Sequence, residues 1–156
     1  MRCQKGQGLL EFAFVLPFLI LIIFGLFYTG MLFSDYIALN NIARVAARDA
    51  SLVTAEDYQE SQFNDIYDKY ITESKKSSDP TKHFLPNSLY TWDPSNKAQF
   101  SIEPGDNNVV VTLNAPVNQN SGLYGSLSKV LDALQNIQVT YEMYSEYEHT
   151  ASESSD

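Results

Sequence analysis

The chain has 156 residues, enough for one membrane segment and one domain of about 100 residues, and sets 10 Lys+Arg against 19 Asp+Glu for a formal net charge of −9. That acidic balance repels a phosphate backbone and argues against nucleic acid as a partner. The single cysteine, Cys3, leaves no intrachain disulfide and no Cys-based metal site, and it precedes the apolar run where a lipoprotein cysteine would follow it.

From Phe12 to Ser34 there is no charged side chain, a run of 23 residues. As a helix this run is about 35 Å long, enough to cross a hydrocarbon core of about 30 Å. A helix buried in a soluble core rarely needs so long an uninterrupted run. A secretory signal is the stronger rival, because Arg2 and Lys5 form a basic start. Its apolar region, however, normally stops at about 7–15 residues. The small-residue string Ala43–Ala50, which resembles a signal-peptidase site, lies well past the end of the run. A single-pass anchor is therefore expected, spanning about residues 9–34. Arg2 and Lys5 place the N-terminus in the cytoplasm and the acidic remainder outside, although Arg44 and Arg48 reduce that asymmetry.

Two residues of this segment stand out. Pro17 lacks an N–H and its ring crowds the carbonyl of Ala13, so a kink is expected there. Glu11 is a carboxylate at the start of the oily run. At the centre of a membrane helix such a group costs about 2.5–3.5 kcal/mol, less near an interface, and it is usually paired.

Beyond the run, Ile37, Ala38, Ile42, Val45, Ala46, Leu52 and Val53 keep helical spacing, with polar residues between them. One helix of about 66 Å is expected from Leu9 to Leu52, its lower half in lipid and its upper half packed on an outer domain through those residues. Arg44 and Arg48 share a face at i, i+4, either for a partner or for solvent.

Thr54-Ala-Glu-Asp57 has the form of a capping box and predicts a second helix, with Phe63, Ile66, Tyr67, Tyr70 and Ile71 as its core stripe. The polar stretch Ser74–Pro80 ends it, and residues 82–96, with Pro86 and Pro94, predict an irregular segment in which Trp92 covers one edge of the core. Phe100 and Ile102, the turn Glu103–Asn108, and Val109, Val111, Leu113 and Ala115 predict a β-hairpin. Leu123, Leu127, Val130, Leu131 and Leu134 line a short helix, and Ile137, Val139, Tyr141, Met143 and Tyr147 one face of a final strand. The sum is an α+β fold: a long N-terminal helix continuing into a small head with a second helix and a short antiparallel sheet. Ten Tyr and nine Phe predict a core or interface rich in aromatics.

No motif supports catalysis. His83 and His149 have no zinc-binding spacing, and there is no nucleophile elbow and no phosphate loop. No cofactor or metal is expected, and the chain reads as non-enzymatic.

Gly6, Gln7, Gly8, Leu9, Leu10, Glu11 and Phe12 form the substrate pattern of prepilin peptidases: a Gly, four residues, then Glu-Phe, leading into a long apolar helix. Cleavage after Gly6 would make Glu11 the fifth residue of the mature chain. With the early Pro17 and the stretch Ala43-Arg44-Val45-Ala46-Ala47-Arg48, residues 6–51 resemble the TadE-like family of tight-adherence (Tad/Flp) pilus systems. The resemblance implies a minor pilin-like protein (a pseudopilin) of the bacterial inner membrane. It implies processing by a prepilin peptidase, and action with a TadF-like subunit and the major pilin in assembling or priming a pilus. On that reading residues 1–6 are a leader, 7–53 the helix, 54–148 the extracytoplasmic head and 149–156 a disordered tail. Glu11, beside Phe12, would meet the new α-amine of Gln7 on a neighbouring subunit. A carboxylate in the first turn also suits the helix dipole of its own chain. The main alternative is an uncleaved single-pass protein whose acidic head binds a ligand or acts as an adhesin; an anchored enzyme comes third.

Overall fold

The computed structural model describes residues 4–53, 62–78, 84–105, 107–122, 125 and 135–145. Helix α1 runs from Gln4 to Ser51, 48 residues and about 72 Å, starting earlier than the apolar pattern predicts. It stays helical through Pro17. Within its apolar part the hydroxyl of Thr29 donates to the Gly25 carbonyl at 2.7 Å, which satisfies it inside its own helix. A second helix, α2, spans Gln62–Ser74. Three strands follow, β1 (Phe100–Pro104), β2 (Asn108–Pro116) and β3 (Asn136–Tyr144), as an antiparallel sheet in the order β1-β2-β3. The expected α+β architecture, with its long helix, second helix and short antiparallel sheet, is the one observed.

Strict alternation fixes the register. Val109, Val111, Leu113 and Ala115 are buried on one face of β2, opposite Met143, Tyr141, Val139 and Ile137 of β3. A one-residue slip would turn that whole set to solvent. This apolar face lies against the upper part of α1, and the α2 stripe of Phe63, Ile66 and Tyr70 closes the core as its spacing predicted. Tyr67 does more than fill space: its hydroxyl accepts the backbone N–H of Ile102 at 2.9 Å. Phe100 donates to the Asn96 carbonyl at 3.0 Å, so these β1 donors pair outside the sheet and that edge is not left open.

Two expectations are corrected. Trp92 is a centre of the core, not a cover at its edge, for it is 0% exposed. Phe84, Phe100 and Tyr70 surround it edge-on, with ring centroids at 5.1, 5.5 and 6.1 Å. Full burial is tolerated because the indole N–H donates to the Gln99 carbonyl at 3.0 Å. The second correction concerns the face of α1 that meets the head. Leu39, Ala43, Ala46, Ala47 and Ala50 are fully buried, whereas Ile37, Val45 and Leu52 are 57%, 48% and 66% exposed. Only Ala46 of the predicted contact set is fully buried; Ala38, Ile42 and Val53 are partly so. Small side chains let the helix lie close to the branched residues of β2, so the alanines face inward and the bulky residues outward.

The proposed capping box at Thr54, the leucine-lined helix of residues 123–134 (apart from Gly125), Tyr147 and the tail lie outside the described residues.

Tyr70 supplies a test of the core by pH. Burial, then the negative charge of Asp49, pushes its hydroxyl up from 10.0 to about 12. The folded state thus holds the phenolic proton more tightly than the unfolded chain does. This contribution to stability is complete below about pH 10 and is lost as the pH rises from 10 towards 12. The unfolding midpoint of the detergent-solubilised chain should fall across that window, and Tyr70→Phe should flatten the fall. Tyr67 is also raised, by burial foremost, so a residual slope should remain in the variant.

Candidate functional site

Two features of α1 lie outside the core. The first is a bare rod: every residue from Leu10 to Phe27 is exposed, and nearly all are large and apolar. The rod is about 27 Å long, close to the thickness of a bilayer core. Its upper limit is set by Tyr28, Met31 and Leu32, which pack partly against the head. Glu11 sits at its lower end and is exposed. The side chains of Gly6 and Gln7 lie outside the described residues, but both positions fall in the first turn of α1. Glu11 lies four residues beyond Gln7, one helical turn along.

The second is the junction between rod and head, built around Asp35. This carboxylate ends the charge-free run and is 0% exposed. One oxygen accepts the backbone N–H of Asn87 at 3.0 Å and the other that of Leu89 at 3.2 Å. The Asn87 side-chain amide also reaches Asp35, at 3.4 Å, and donates to the Met31 carbonyl at 3.1 Å. Both backbone donors converge because Ser88 between them adopts φ 54°, a left-handed conformation that costs a non-glycine residue about 1–2 kcal/mol. Backbone N–H groups turned together in this way form a concave anion site, here occupied by a side chain of the same chain. Asn118 locks the loop from behind, its side-chain amide donating to Ser88 O at 3.0 Å and its N–H to Leu89 O at 2.8 Å. The head is therefore pinned to the helix just above the bare rod.

Sequence reading missed this junction. Its one visible signal is periodicity: Asp35 falls on the stripe of Leu39, Ala43, Ala46 and Ala50, so an acid was facing the core. Asp35 is fully engaged by hydrogen bonds and acts as a fastener. Among the described residues no group of three His, Cys, Asp or Glu side chains is placed to hold a metal ion. His83 and His149 lie outside them.

Arg44 and Arg48 come together on the outer face of α1, where with Asn41, Val45 and Met143 they line an open groove of about 560 Å³. Pro17 lies midway along the rod and Phe12 beside Glu11 at its base, both exposed.

The geometry defines a class: a protein in which one helix, long and apolar enough to cross a membrane once, also forms one layer of an α+β head. Within that class the model of the family described as TadE-like protein matches residues 6–48, so the chain carries a TadE-like segment and the resemblance is borne out. The match begins at Gly6, ends at Arg48 and lies wholly within α1. It suggests involvement in the Tad pilus and leaves the head unmatched. No curated protein and no solved structure matches the chain.

Proposed function

We propose that this chain is a minor pilin-like subunit, cut between Gly6 and Gln7 by a prepilin peptidase and then packed by its bare rod against other pilin-like helices during pilus assembly or priming. The observation that carries this reading is the arrangement along α1. The Gly6–Gln7 bond, then Glu11 and Phe12, then an exposed apolar rod follow in the order that processing and lateral assembly require. On this reading residues 1–6 are the leader, 7–53 the helix and 54–148 the head, with the head outside the cytoplasmic membrane. A TadF-like subunit and the major pilin are the partners, and the chemistry is packing without a reaction.

Glu11 then has a physical role. Cleavage turns the Gln7 nitrogen into a cationic amine, and among parallel, staggered helices the amine of one subunit meets Glu11 of the next. Each charge removes the cost of the other in a medium where an unpaired carboxylate is expensive. Pro17 leaves the Ala13 carbonyl without its usual donor, a group that a neighbouring helix can supply.

Mass analysis of the membrane-extracted protein should find a chain beginning at Gln7. An intact N-terminus in cells with an active prepilin peptidase would instead establish the uncleaved anchor. Glu11→Ala should leave that mass unchanged and sharply reduce recovery in assembled pili. Normal piliation in this variant would remove the pairing argument.

A further inference from the structure

The outer face of α1 carries an unexplained combination. Ile37, Val45 and Leu52 are exposed there, beside Arg44 and Arg48 and the groove they line with Met143 of β3. In an acidic chain these two arginines are conspicuous, and among the described residues neither carries an ion pair. On the other flank of the same helix, Asp49 pairs with Lys69 of α2 at 2.6 Å. At 100° per residue, Asp49 and Arg44 lie about 140° apart around α1. The head thus has an arginine flank beside β3 and a separate flank formed by α2. On the α2 flank Asp65 and Asp68 are exposed, and the neighbouring Lys69 is engaged by Asp49.

From this charge complementarity we infer that the Arg44–Arg48 groove receives the Asp65–Asp68 edge of α2 from a second copy of this chain. Two arginines one turn apart match two aspartates one turn apart, and the guanidinium fork favours bidentate pairing with carboxylates. Val45 and Met143 supply apolar contact beneath the pairs. Because the two surfaces differ, the contact is head-to-tail and repeats from copy to copy without closing on itself, unless the rotation happens to complete a ring. An anionic lipid surface is a poorer occupant. Arg44 and Arg48 stand about 15 and 21 Å above Ser34, beyond the headgroups if the membrane ends there. The inference deepens the pilin-like reading by giving the head its own role in subunit order.

The test uses the full chain in membranes, with Cys3→Ser to remove the native thiol. Asn41→Cys in the groove and Asn64→Cys beside Asp65 should give oxidative ladders when both are present, and monomers when only Asn41→Cys is. R44E/R48E should cut the yield roughly fivefold or more, and D65K/D68K likewise, with the loss smaller at high salt. Mixing R44E/R48E carrying Asn41→Cys with D65K/D68K carrying Asn64→Cys should restore a dimer. If the glutamate variant fails to accumulate, R44Q/R48Q should lower the yield by itself. Yields indifferent to these charges, no rescue on mixing, or loss only of links to a different pilin-like subunit would each overturn the inference. Processing at Gln7, read by mass on the same samples, should be unaffected and reports separately on the pilin-like reading.

Discussion

Asp35→Ala should loosen the head from α1 and lower its stability by about 2–4 kcal/mol, since each buried N–H left without an acceptor costs about 1–3 kcal/mol. The variant strands the N–H groups of Asn87 and Leu89 in a site from which water is largely excluded, while the strained turn at Ser88 remains. A domain of this size is stable by only about 5–15 kcal/mol, so the loss is a large share of the total. Urea unfolding of the detergent-solubilised chain reads it directly, because Trp92 is the only tryptophan and lies fully inside the core. Asp35→Asn keeps one acceptor oxygen but turns an amide NH₂ towards a donor, and should lose about half as much. A shift below about 1 kcal/mol for Asp35→Ala would show that the contacts of Leu39 and the alanines hold the junction without the carboxylate.

Asp35 also shows where sequence reading stops. Elements held by a repeat were legible: the alternation of β2, the α2 stripe, and a helix continuing beyond the apolar run. The fastener was not, because the partners of Asp35 are two backbone amides more than fifty positions away, made available by the conformation of Ser88. Nothing in the residue types of 87–89 announces that geometry. Trp92 was misplaced for a related reason, since its burial depends on the carbonyl of Gln99, which has no side-chain signature.

The face of α1 was misread for a different reason. Apolar bulk usually marks the buried side of a helix, yet here the inward stripe is mostly alanine. Close approach of helix to sheet explains the alanines. Ile37, Val45 and Leu52 are then surplus to the head and face outward. The same helix is thus a core element on one side and an exposed face on the other, while its lower part, residues 10–27, is exposed throughout. Pro17 falls in that exposed part.

Gly6→Ala should reduce processing by about 100-fold or more, leaving in the membrane a chain whose N-terminal mass still includes residues 1–6. A peptidase that approaches the bare Cα of glycine has no room for a methyl, and a displacement of about 1 Å at a reacting bond costs on the order of 100-fold. The consequence extends to Glu11. Removing residues 1–6 takes away Arg2 and Lys5, leaves 8 Lys+Arg against 19 Asp+Glu, and moves the formal side-chain charge from −9 to −11. In exchange it creates a single cation, the Gln7 amine, one helical turn from Glu11. In the uncut chain that nitrogen is a neutral amide and offers Glu11 no charge. Gly6→Ala and Glu11→Ala should therefore fail at the same step, assembly, while differing in N-terminal mass. Combining them should add little further loss, because each removes one half of the same pair. If the double variant instead assembles far worse than either single one, the amine and the carboxylate act separately, and Glu11 serves the helix dipole of its own chain.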